Sequence, residues 1–343
     1  MNESHWLRGH WKLILNIATL VALGGLVFAL RDQVVDVFRR LDEVKWWALA
    51  LLVPIQIFNY HCQAMMYRRM FAIVGNTIGY RKLIEVSLEL NFVNNVFPSG
   101  GVSGISYFGL RLRDNQVTGA KATLVQIMKL GLLFLSFEVL VVVGLFILAW
   151  ADKVNGLVLL LAGSLSTLMV VGTLAFAYII GSRERITAFF TIVTKALNWL
   201  IRLVVPRKPE AINIASAQES FNDMHENYML FRTKLNELRS PFWWALLANT
   251  AEVFSIYVVY IAFGEWVNLG AIILAYAIAN FAGFVSVLPG GVGVYEILMT
   301  GVMTIAGVPA ALTIPVVVMY RVLNTLIQLP PGFYFYHKAI QNK

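Results

Sequence analysis

Cysteine is nearly absent from this chain. Cys62 stands alone among 343 residues, so no intrachain disulfide can form and no thiol cluster for a metal exists. Histidine is sparse as well: His5, His10, His61, His225 and His337 are scattered without ligand spacing, which argues against a metalloenzyme. Cys62 and His61 therefore read as ordinary packing or interface residues. Charge is the third shortage. Asp, Glu, Lys and Arg make up 13% of the chain, against ~25% in soluble domains. No G-x-x-x-x-G-K-[ST] loop is present, which speaks against ATP hydrolysis. The charge that remains is basic, a net +8, yet no basic stripe interleaves with aromatics, and nucleic-acid binding is set aside.

What fills the chain is apolar: 59% hydrophobic residues and a mean hydropathy of +0.71. Stretches near the ~20 apolar residues that cross hydrocarbon recur along the length. Candidate spans lie at about 11–30, 46–66, 122–150, 157–180, 241–263 and 311–335. Residues 1–343 thus read as a single membrane domain needing no cofactor. The run Leu13 to Leu30 follows Arg8 and Lys12 but is long for an export signal and lacks a small-residue cleavage site, so it reads as a retained first span. The long polar connection, 181–240, carries apolar residues at helical spacing from Ile212 to Leu238. That pattern suggests an amphipathic helix at the cytoplasmic surface or against the bundle.

Two further apolar stretches, 83–110 and 270–307, are broken by PSGGVSG at Pro98 to Gly104 and PGGVGVYE at Pro289 to Glu296. Each break follows a helix-like run carrying an asparagine, Asn91 or Asn280. Pro98 and Pro289 remove a backbone donor and stop a helix. Gly100, Gly101, Gly104, Gly290, Gly291 and Gly293 admit a close backbone approach. Broken backbone survives at membrane depth only where protein or a polar cavity satisfies the freed groups. A pair of breaks, one per half, points to a transporter-like site. The positive end of a restarted helix suits an anionic head group such as a phosphate, with Asn94, Asn95, Ser99 and Ser103 as added neutral donors. The plainer reading is that glycine and proline merely permit tight helix packing.

Orientation follows the basic residues. With both termini cytoplasmic, only Arg31, Arg39, Arg40, Lys45 and Lys153 fall outside, in keeping with the positive-inside rule. Stretch 83–110 then enters from the cytoplasm and 270–307 from the outside; as full spans they would change the count. The expected fold class is an all-α integral membrane protein. It is a polytopic helical bundle of about six full spans with two Gly/Pro-broken re-entrant elements arranged as an inverted repeat.

Charged residues at depth are the second signal, each costing ~2.5–3.5 kcal/mol on insertion scales unless paired or hydrated. Glu85 and Glu89 share a face leading into the first break; Lys129 and Glu138 lie in 122–150, Glu252 in 241–263, and Arg321 with Asn324 in 311–335. Arg321 is the best candidate for phosphate, because its fork stays protonated and matches the oxygens. Glu296, after the second break, reads equally as a helix cap or as a substrate or proton group. Lys129 reads equally as half of an ion pair with Glu138 or Glu252. The four remaining acids, Glu85, Glu89, Glu138 and Glu252, are candidate coupling groups.

The PGGVGVYE element with Tyr295, then Gly307-Val308-Pro309, and Tyr320-Arg321 before Pro330-Pro331-Gly332 resemble the C-terminal part of a known family. It is the lysylphosphatidylglycerol synthetase transmembrane, flippase-like family of bacterial and archaeal membrane proteins. NFVNNVFPSGGVSG, continuing to Arg111, is similar to that family's N-terminal motif. The resemblance covers essentially the whole chain. It implies a polytopic domain, in a prokaryotic plasma membrane, that translocates or binds an amphipathic lipid. Larger relatives fuse it to a soluble aminoacyltransferase, for which the 343 residues here leave no room.

Three functions compete. The first is a flippase or scramblase moving a phospholipid or polyprenyl-phosphate-linked lipid, its anionic phosphate head group held at the two breaks. The second is a membrane-embedded transferase acting on a lipid head group; it lacks an Asp or His constellation. The third is a non-transporting partner of another complex, and a separately encoded enzyme is a natural companion of either the first or the third.

Overall fold

The computed structural model describes residues 44–97, 102–189, 191–192, 225–285 and 293–341, together with 31, 35, 39 and 42; every regular element among them is a helix. The expected span 11–30, the centres of both breaks and the middle of the 181–240 connection lie outside the described residues. A short turn, Trp46–Ala50, leads into α1 (Leu52–Ile73), α2 (Tyr80–Val96), α3 (Val102–Leu112), α4 (Gly119–Trp150) and α5 (Gly156–Ile180). Beyond the connection follow α6 (Arg239–Ala262), α7 (Leu269–Val285), α8 (Val294–Ile305) and α9 (Ala310–Gln341).

Four helical stretches among the described residues are long and apolar enough to cross a membrane: α4, α5, Leu235–Ala262 (which contains α6) and α9. Helix α1 has the length, 22 residues, but Gln56, Asn59, Gln63, Arg68 and Arg69 lower its apolarity. Of the amphipathic stretch, residues 225–233 are helical, with Phe231 buried and Leu230 exposed.

The two halves match element by element. Helices α1 to α4 have 22, 17, 11 and 32 residues; α6 to α9 have 24, 17, 12 and 32. Both α1 and α6 stop in the same way, at a glycine with φ of +82°, Gly75 or Gly264. Past each glycine the chain folds back on its helix, Asn76 N–H reaching Phe71 O and Glu265 N–H reaching Tyr260 O at 2.9 and 3.0 Å. Only a residue without Cβ takes that left-handed cap without strain.

Packing crosses between the halves. Helix α1 lies against α6, α2 against α9, and α7 against α4. The last two contacts bring backbones together. A Cβ on Gly332 of α9 would sit 2.8 Å from Leu88 O of α2, and one on Gly270 of α7 would sit 2.3 Å from Gly144 O of α4. Small residues at such crossings let helices pack where lipid supplies no hydrophobic drive.

The bundle has two ends. At one, Asn76 before α2 donates to Gln116 O after α3 at 3.2 Å, and Lys121 of α4 reaches Val74 O at 3.1 Å. At the other, Lys45 N–H donates to Ala262 O at 2.8 Å and Asn155 Nδ2 donates to Ile305 O at 3.0 Å. Helices α2 and α3 thus start and finish at the first end, while α7 and α8 start and finish at the second.

Candidate functional site

Polar side chains gather where the halves meet. Helix α1 carries Gln56 and Asn59 on one face, α2 carries Asn91 and Asn95, α6 carries Glu252, and α9 carries Tyr320, Asn324 and Gln328 at one-turn spacing. That i, i+3, i+4 spacing aligns each set on one side of its helix. Glu252 Oε1 accepts from Asn59 Nδ2 at 3.0 Å; Oε2 accepts from Tyr320 OH at 2.7 Å, Gln56 Nε2 at 3.4 Å and Asn324 Nδ2 at 3.5 Å. Gln328 Nε2 donates to Gln56 Oε1 and Asn324 Oδ1 at 2.9 and 2.7 Å, and Gln328 Oε1 accepts in turn from Asn91 Nδ2. Asn91 donates to Tyr60 OH at 2.6 Å and receives Asn95 Nδ2 at 3.0 Å. A carboxamide both donates and accepts, so these groups pass polarity from α2 to α6 without formal charge.

Two ion pairs flank this seam. Glu89, fully buried, takes Arg111 Nε and Nη2 in a two-point grip at 2.8 and 3.1 Å and Tyr107 OH at 2.8 Å; Glu85 lies 4.0 Å from the same guanidinium. On the other side, Glu296 has two partners. Its Oε2 accepts the Gly293 N–H at 2.7 Å, capping α8, and its Oε1 takes Arg321 Nη1 at 2.7 Å. Arg321 also lies 5.0 Å from the centre of the buried Tyr295 ring, within cation–π range. Of the readings offered for Glu296, the structure shows the cap, and Arg321 is held on that same acid.

Lys129 joins neither Glu138 nor Glu252. Its Nζ donates to Tyr67 OH at 3.0 Å and lies 5.1 Å from that ring, because α1 and not an acid faces it. The ion-pair expectation for Lys129 is thereby corrected. Glu138 keeps one buried oxygen without a hydrogen-bond partner among the described residues. At the first end of the bundle a cleft of about 220 Å³ opens between Lys82, Glu85, Arg111, Asp114, Phe335, Lys338 and Ala339. Burial, and then the Arg111 charge, push the Lys82 ammonium below its ordinary pKa.

The remaining sequence candidates fall as follows. Asn94 is exposed but leans on buried Gly104, where a Cβ would overlap its Oδ1 at 2.0 Å; α3 therefore packs directly on the end of α2. Asn280 turns back on its own helix, donating to Tyr276 O at 2.9 Å. Gly293, at φ +88°, is the N-cap of α8. Pro98, Ser99, Gly100, Gly101, Pro289, Gly290 and Gly291 lie outside the described residues, as does the Ser103 side chain. Among the described residues no cluster of three or more metal-ligating side chains occurs. Gln56, Asn59, Tyr60 and Gln328 are the additions; the signal for the three amides was their spacing inside apolar runs, and Tyr60 had none.

The family described as "Lysylphosphatidylglycerol synthase TM region" matches residues 14–332. A "UPF0104 membrane protein" of Methanothermobacter thermautotrophicus is 26% identical over 175 residues, 45% of this chain and 52% of the relative. The matched stretch thus spans about half the length of that relative.

Proposed function

This chain belongs to the lysylphosphatidylglycerol synthase transmembrane-region family, and from that premise we propose that it is a lipid transporter of flippase or scramblase type. The observation that carries the reading is the polar seam. It runs from Asn91 and Asn95, beside the first break, through Gln328 and Asn324 to Glu252, and the Arg321–Glu296 pair flanks it beside the second. Glu252, Asn91, Asn324 and Gln328 are only partly covered, so the seam is open to a guest. Around it, α4 and α5 expose Val142, Phe146, Leu160 and Leu174, surface suited to acyl tails. A head group moving along the seam exchanges water for amide and hydroxyl partners while its tails stay in hydrocarbon.

The cargo is a phospholipid or polyprenyl-phosphate-linked lipid with an anionic phosphate. The phosphate sits between the N-terminal ends of α3 and α8, the helices that restart after the two breaks. Arg321 stands beside them. The hairpins α2–α3 and α7–α8 are re-entrant elements of an inverted repeat, completed by six full spans of which 11–30 is the first. Support comes from the matched lengths, the crossed packing and the two hairpins opening at opposite ends. Arg81, Lys82, Arg111, Arg113, Lys121 and Lys338 gather at the first end, which is the cytoplasmic one and holds both termini. The host is the plasma membrane, and a separately encoded enzyme supplies or consumes the lipid.

The test is leaflet-to-leaflet movement of fluorescent anionic phospholipid, zwitterionic phospholipid and polyprenyl phosphate in proteoliposomes. Wild-type protein moves at least one of them, and Asn91→Leu slows that movement about tenfold or more, equivalent to ~1.4 kcal/mol of lost barrier lowering. No movement of any of the three by folded protein refutes the reading.

A further inference from the structure

Among the described residues, charge pairing is complete around two acids and absent around a third. Glu89 has Arg111 and Glu296 has Arg321. Glu252 is met by Gln56 and Asn59 from α1 and by Tyr320 and Asn324 from α9, all neutral. Tyr60, Tyr276 and Tyr295, the other titratable groups within its electrostatic reach from α1, α7 and α8, are neutral phenols. No lysine, arginine or histidine among the described residues forms an ion pair with it. We propose that Glu252 is a proton-binding site that takes up and releases a proton in step with lipid movement, and this rests on the transporter reading.

Geometry weighs against the common alternative, a bound metal cation. Such an ion needs lone pairs, and the groups aimed at Glu252 present hydrogens. The Asn59 orientation is fixed independently, because its Nδ2 also donates to Ala248 O at 3.0 Å, and a carbonyl only accepts. Tyr320 OH, at 2.7 Å, is likewise a donor. This shell of donors suits a proton better than a metal cation. Arrival of a proton forms one O–H bond on the carboxylate, with that proton drawn from bulk water, and no electron is transferred.

Protonation then alters what holds the halves together. A carboxylate accepts on both oxygens; a carboxylic acid must donate from one of them. If Oε2 takes the proton, Tyr320 OH has to rotate or leave, whereas Asn59 keeps its bond to Oε1. Tyr320 precedes Arg321 on α9, and Arg321 grips the acid that caps α8 after the second break. One proton at Glu252 therefore loosens α9 against α6 at the level where the head group is held.

Two experiments judge this, the first of them independently of transport. In pH-difference infrared spectra of purified protein in lipid nanodiscs, wild type should show a carboxyl band rising on acidification that Glu252→Gln lacks. No band attributable to Glu252 overturns the proposal, whether or not lipid moves. In proteoliposomes with an imposed pH gradient, the wild-type leaflet ratio of the transported lipid should shift by about tenfold per pH unit for one proton per lipid, and E252Q should show no shift. Wild-type movement indifferent to the gradient also overturns it. Absence of all wild-type movement defeats the transporter reading and leaves the infrared band to decide the proton site.

Discussion

Arg111 and Glu89 illustrate how an acid and a base coexist inside this bundle. The planar guanidinium meets both carboxylate oxygens, Tyr107 supplies a third bond, and no lone pair that matters is left facing hydrocarbon. Removing one partner strands the other, so Arg111→Ala should cost ~3–5 kcal/mol in stability, read as a lower unfolding midpoint in detergent; Arg111→Ala combined with Glu89→Gln should recover much of that loss. Glu296 carries two roles on one side chain. Glu296→Gln keeps an oxygen for the Gly293 N–H but loses the charge facing Arg321, whereas Glu296→Ala loses both and should be the worse by ~1 kcal/mol, the worth of a helix cap. The acids and arginines were legible in the sequence because a charge in an apolar run stands out. Their partners were not. Glu252 binds residues from α1 and α9, far away along the chain, and nothing in an isolated run says which neutral donor will face it.

Among the elements, the breaks and span limits were the most readable. Expected spans 157–180 and 241–263 match α5 and α6 closely, since Asn155 caps one start and Gly264 ends the other. The edges that moved have a physical cause. Helix α1 continues to Ile73, past Arg68 and Arg69, because its far end packs on the first-end core around Phe71 and Phe108. Helix α9 continues to Gln341 through Pro330 and Pro331, while Tyr336 and Ile340 pack against Phe92 and Val96 of α2. Packing overrides the local preference of proline to end a helix. Gly332 is the pivot of that contact. Gly332→Leu should push α9 away from Leu88 O and destabilise the fold by ~1–3 kcal/mol, whereas Gly301→Ala, with nothing within 4 Å, should be silent. Thermal unfolding of the two variants side by side checks this.

For the whole molecule, the sequence yielded the membrane class and the two broken elements, but not the crossed packing, since which helix covers which is a long-range choice that hydropathy does not encode. The topology is testable directly. With buried Cys62 replaced by alanine, single cysteines placed at Asn76 and Gln116 should react with a membrane-impermeant thiol reagent from one side, and cysteines at Glu265 and Pro309 from the other. Reaction of positions 76 and 116 from opposite sides would instead make α2–α3 a full crossing. The crossed packing also governs how the protein is made. Ribosomes deliver α2 long before α9, its covering helix, so the nascent first half waits in the membrane with Leu88 and Phe92 unshielded. Contacts closed over so great a loop form late. Chains cut short before α9 should therefore be recognised by membrane proteases as orphans, however well their individual helices have inserted.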